Sequence, residues 1–91
     1  MVTSIGKPYK DKKNKYIYRF FNVNDNSMSL VWHRDKKDRW VKIINGFGWY
    51  LQMDNDIPFK LIKNQTYFIP KETFHRIIKG KSNLLIRIKE L

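Results

Sequence analysis

The stretch Asn83-Leu84-Leu85-Ile86-Arg87-Ile88-Lys89 alternates: Leu84, Ile86 and Ile88 fall on one side, and Arg87 and Lys89 on the other. A period of two belongs to a β-strand with one face in a core. Working outward, the same richness in β-branched and aromatic residues recurs at 16–21, 29–33, 39–44, 48–53, 59–62, 66–69 and 75–79. None of these runs is long enough for a globular helix. The breaks between them have turn chemistry, and Asn45-Gly46 reads as a tight hairpin because both residues tolerate positive φ. Strands spaced at about eight to twelve residues point to an all-β sandwich or barrel. Residues 16–91 read as one folded unit. Residues 1–15 lack periodicity and carry Gly6, Pro8, Lys7, Lys10, Lys12, Lys13 and Lys15, and are expected to form an extended basic arm.

Composition narrows the chemistry. A chain of 91 residues with 42% hydrophobic and 15% aromatic content should fold despite a formal net charge of +11. There is no cysteine, which removes disulfides, thiolate catalysis and sulfur-ligated metals, so any metal must be held by nitrogen and oxygen. Met1 to Lys15 has no apolar signal-type stretch, and no run approaches the ~20 apolar residues of a membrane span. The expected compartment is the cytoplasm, with no membrane partner. The positive charge would favour encounter with nucleic acid, or it is a solvated lysine-rich surface.

The chain holds two histidines, His33 and His75, both at strand boundaries. Asp35 follows His33 at i+2, which places both side chains on one sheet face if the extended conformation continues. A His-x-Asp pair presents a nitrogen and an oxygen to one ion, and His75 would add the second imidazole. Two imidazoles and one carboxylate suit Fe(II), Mn(II), Zn(II) or Ni(II).

The segment from Trp32 to Gly46 resembles the first motif of the cupin family, in which two ligand histidines spaced HxH precede a third ligand and a glycine. His33 stands at the first ligand, Asp35 at the second, Arg39 at the third and Gly46 at the glycine. The segment from Asn64 to His75 resembles the second motif, with Pro70 and His75 in register. Asn64 takes the turn glycine's place, and asparagine is the next best residue in a left-handed conformation. Glu72 replaces the second motif glycine and Lys79 the motif asparagine. More narrowly, the runs around Trp32-His33-Arg34-Asp35 and Ile69-Pro70-Lys71 resemble very small cupins encoded by tailed phages of marine bacteria. The resemblance spans residues 28 to 90 and implies a small double-stranded β-helix, or jelly-roll, barrel with a metal site, iron foremost. It implies no settled reaction.

The departures from the pattern matter. A guanidinium cannot ligate, so the third ligand is lost at Arg39. Arg39 either points into the barrel, where a fixed cation would hold an anionic ligand beside the metal, or is exposed. Asp38 is expected to pair with Arg39 or Arg76. Gln52, with Tyr50 on the same face, either meets solvent or points inward to support the metal or a ligand. Trp32, Trp40, Phe47, Trp49, Phe68 and Phe74 are expected to fill the barrel core, with a stacking platform for bases as the other reading.

Two functions follow. One is a metal-binding cupin acting on a small acid, sugar or carbonyl compound as an oxygenase or isomerase. The other is a non-catalytic basic module that binds nucleic acid or an acidic partner. A homodimer is expected, with an arm rich in Tyr16, Tyr18 and Phe20 adding a strand to a partner sheet.

Overall fold

A computed structural model of the protein describes residues 15–24 and 30–91. Among these described residues seven strands follow in chain order: β1 Ile17–Phe21, β2 Arg39–Asn45, β3 Tyr50–Met53, β4 Phe59–Lys60, β5 Thr66–Ile69, β6 His75–Ile78 and β7 Leu84–Glu90. They form a four-stranded sheet ordered β1-β7-β2-β5 and a three-stranded sheet ordered β4-β3-β6, antiparallel throughout. Among these strands, β3 and β4 are the only successive pair hydrogen-bonded to each other. Every other link carries the chain to a non-neighbouring strand or to the other sheet, which is the winding of a jelly roll. No helix among the described residues is long and apolar enough to cross a membrane. The expected arm, apart from Lys15, lies outside the described residues.

Alternation builds the core. Val41 and Ile43 of β2, Ile69 of β5, Leu84, Ile86 and Ile88 of β7 and Phe21 of β1 point inward from the larger sheet. Leu51 of β3, with Trp49 and Leu61 beside it, closes the interior from the other side. Ile43, Trp49 and Leu84 are fully buried. Trp49 donates its indole N–H to the Ser82 carbonyl at 2.6 Å, which satisfies its one polar atom. Gly80 passes against that indole so closely that a Cβ would collide with it and with the Gly48 backbone.

Three expectations need correction. Asn45-Gly46 is not a hairpin, because β2 and β3 belong to different sheets. It is a corner: the register of β2 against β7 slips between Ile43 and Asn45, and Gly46 and Gly48 take φ of 125° and 83° to turn the chain across. The segment 29–33 is not a strand in its described part, where His33 makes a single bridge to His75. Of the six aromatics expected in the core, Trp49 alone is buried, and the rest are 42–62% exposed. Trp40 and Phe68 are cross-strand partners on the outward side, because their neighbours Val41 and Ile69 take the inward positions and aliphatic side chains fill the space. Residues 17–21 form β1, in line with the strand read at 16–21, and β1 pairs along its length with β7 of the same chain as the edge of its sheet.

Candidate metal centre

His75 opens β6, where β3 pairs with it on one side through Met53. On its other side His33 forms an antiparallel bridge to it, with His33 N–H to the His75 carbonyl at 3.0 Å and His75 N–H to the His33 carbonyl at 2.8 Å. Directly opposed residues share a sheet face, so the two imidazoles meet, with ring centroids 4.4 Å apart. Asp35 is tied by its carbonyl, which accepts the Glu72 N–H at 2.7 Å. One side-chain ligand atom each of His33, Asp35 and His75 lies within 4.8 Å of the others.

Hydrogen bonding fixes the tautomers. Nδ1 of His33 lies 2.8 Å from the Val31 carbonyl, and Nδ1 of His75 lies 2.8 Å from the Thr73 carbonyl. A carbonyl only accepts, so each Nδ1 carries the hydrogen and each neutral ring presents a bare lone pair at Nε2. Nε2 of His75 faces Oδ2 of Asp35 at 3.3 Å. That oxygen is buried and has no hydrogen-bond partner. Two acceptors therefore confront each other. A proton on His75 would relieve this, but burial above all, and then the neighbouring His33 and Arg39, push its pKa below the usual 6.5 against the opposing pull of the Thr73 hydrogen bond and Asp35.

Arg39 points inward, as one of the two alternatives had it, but its charge is already engaged. Nε and Nη2 donate to Oε2 of Glu90 at 3.0 and 2.7 Å, and Nη1 lies 3.4 Å from Oδ1 of Asp35. Its role is to hold Asp35 by one oxygen and leave the other facing the histidines. Glu90 was missed from the sequence, although the alternation Leu84, Ile86, Ile88 continues to it and puts an acid on a core face.

Other expected residues lie elsewhere. Gln52 is on the outer face of β3, where it accepts from Arg76 Nε at 2.9 Å and donates to the Asp56 carbonyl at 3.0 Å. Tyr50 shares that exposed face. Neither is brought to the cluster. Asp38 does not pair with Arg39 or Arg76; its carboxylate accepts the Lys71 N–H at 2.7 Å and pins the turn before β6. Asn64 and Glu72 both adopt left-handed φ, 72° and 58°, where the motif has glycines.

The cluster opens on a cavity of about 40 Å³, room for roughly three waters. Its walls are mainly apolar, with Phe21, Leu51, Ile69 and Ile86 among them, and Arg19 at the end strand completes the lining. Arg19 sits opposite Ile86 in register and so faces inward. Alternation within 17–21 would have placed it beside Phe21.

No protein-family model matches the chain, and no curated protein matches it. Among solved structures it is similar to a protein from Neisseria meningitidis (15% identity, TM-score 0.61, covering 86% of this chain and 75% of that one). It is also similar to a cupin-2 domain protein from Shewanella frigidimarina (20% identity, TM-score 0.60, 86% and 72% covered). A third is a Ralstonia eutropha protein named as a candidate mannose-6-phosphate isomerase (14% identity, TM-score 0.58, 82% and 68% covered). At these identities the likeness speaks for architecture, and with the two antiparallel sheets it gives the conclusion that this chain has the cupin fold.

Proposed function

We propose that the chain binds a divalent transition metal through Nε2 of His33, Nε2 of His75 and Oδ2 of Asp35, and presents it to a small acidic molecule in the adjoining cavity. The confrontation of the buried, unpartnered Oδ2 with the Nε2 lone pair 3.3 Å away carries this reading. A cation satisfies both atoms at once, and their separation is near the ~3.0 Å expected between adjacent ligands with bonds of ~2.1 Å. Backbone carbonyls behind both Nδ1 atoms orient the rings and fix the tautomer that bares Nε2, as partners of metal-bound histidines do.

A bound ion would supply a Lewis acid with open positions. The chain's own contribution is to orient: Arg39 aims Asp35, the apolar wall confines the cavity to a small volume, and Arg19 offers a guanidinium with no carboxylate partner among the described residues to an anionic group. An oxygenase or isomerase reaction on such an acid fits this arrangement. Iron as the metal and a phage-encoded origin are supported by the sequence resemblance alone.

Metal analysis of tag-free protein as purified tests the reading. Wild type should hold close to one equivalent, and a His33→Ala/His75→Ala variant with native circular dichroism should hold none. Equal trace metal in both would sink the idea. The other reading, a basic module without catalysis, draws on a different face of the barrel and is independent of the cluster.

A further inference from the structure

The outward side of the four-stranded sheet is unlike an ordinary solvated face. Tyr18 stands opposite Arg87, Arg87 opposite Lys42, and Trp40 between Lys89 and Phe68. Phe20 follows opposite Leu85. The four rings lie open, with Tyr18 at 60%, Phe20 at 61%, Trp40 at 43% and Phe68 at 42% exposure. Trp40 and Phe68 are in tilted contact at 4.8 Å, and Arg87 lies over the Tyr16 ring at 4.2 Å. No outward strand position of this sheet carries a carboxylate.

We propose that this face binds single-stranded nucleic acid, with bases stacking on Tyr18, Phe20, Trp40 and Phe68 and backbone phosphates meeting Lys42, Arg87 and Lys89. Aromatic rings on a positively charged surface stack any base and neutralise the backbone beside it. Rows of side chains about 7 Å apart along the strands suit the successive bases of an unstacked strand. A duplex hides its base faces and cannot use the rings. A second copy of this chain fits poorly, because apposing the same face would bring Lys42, Arg87 and Lys89 of both copies together with no carboxylate at its described outward strand positions to meet them. The net charge of +11 adds long-range attraction for a polyanion. The metal cluster takes no part.

Fluorescence anisotropy with labelled oligothymidylate, long enough to fill a site of about 4–16 nucleotides, tests the proposal on the full chain in the presence of EDTA. Single-stranded DNA should bind more tightly than duplex DNA or heparin at equal charge and quench tryptophan emission. Trp40→Ala should weaken binding about fivefold or more, whereas Phe47→Ala, an exposed ring outside the sheet, should not. The triple variant Lys42→Gln/Arg87→Gln/Lys89→Gln should reduce the log–log salt slope by about 2, at ~0.7 for each cation. If Trp40→Ala unfolds, Tyr18→Ala takes its place. Equal loss for Trp40→Ala and Phe47→Ala, or heparin and duplex binding as tight as single strands, would show charge alone and overturn the proposal. So would a dimer in sedimentation equilibrium that Trp40→Ala dissociates, since a second copy would then cover this face.

Discussion

His33 and His75 are hydrogen-bonded to each other through both backbone bonds of an antiparallel pair, and each donates its ring N–H to the carbonyl two residues before it. The two imidazoles thus have the same local support and the same free nitrogen, on segments distant in sequence that the antiparallel bridge brings together.

Asp35→Asn should separate metal binding from folding. The new amide can donate to Nε2 of His75, which replaces a clash of lone pairs by a hydrogen bond worth about 1 kcal/mol. The metal-free variant should melt at or above the wild-type midpoint while its metal affinity falls about tenfold or more. A variant that keeps wild-type affinity would remove Asp35 from the ligand set.

Removing metal should lower the thermal midpoint of the wild type, because an ion that binds the folded state alone stabilises it, by about 2.7 kcal/mol at a hundred times its dissociation constant. Calorimetry with and without EDTA measures this. The His33→Ala/His75→Ala variant should show no such difference.

Arg39→Met tests the positioning of Asp35. It leaves the three ligand residues intact but strands Glu90 and frees Oδ1 of Asp35, at a cost of about 1–3 kcal/mol given the partial exposure of the pair. Metal affinity should fall although no ligand has been removed, and Arg39→Lys should restore only part of it. Unchanged affinity would mean that Asp35 finds its place without Arg39.

Acidification should destabilise the metal-free protein. Burial holds the pKa of His75 below its ordinary value of 6.5, so the unfolded chain takes up the proton first. The stability is complete above that value and is lost as pH falls through the folded pKa. Urea midpoints should decline as the pH is lowered from neutrality below 6.5, and less so in His75→Asn. A midpoint that rises over this interval would contradict the sign.

Glu72 adopts a left-handed φ of 58°, a conformation that costs a residue with a side chain about 1–2 kcal/mol. Glu72→Gly should relieve it, less the backbone entropy of glycine and the exposed contact to Arg34, worth little. The net gain of up to ~1 kcal/mol corresponds to a midpoint higher by about 4–8 °C or less.

The strands were legible because their period of two is local. The convergence of His33, Asp35 and His75 was legible for a related reason: a His-x-Asp pair and a histidine at a strand edge need only be brought into register. Sheet membership was not local. Asn45-Gly46 has hairpin chemistry, but β2 found its partners in β5 and β7, and the same two residues became a corner. The exposed aromatics escaped because composition alone cannot say which face of a strand a ring takes; Trp40 is set outward by its neighbours Val41 and Arg39. Arg19 and Glu90 were readable in principle, since Arg19 is in phase with Phe21 and Glu90 with Leu84, Ile86 and Ile88. They were passed over because a charge in an apolar phase is uncommon.

β7 lies between β1 and β2, yet it comes last of the seven strands in chain order. During synthesis, at roughly 5–20 residues per second, β1 and β2 must wait seconds for the strand that joins them, with Phe21 and Ile43 uncovered. The interval leaves apolar surface open to chaperone capture or to association of nascent chains until the last strand arrives.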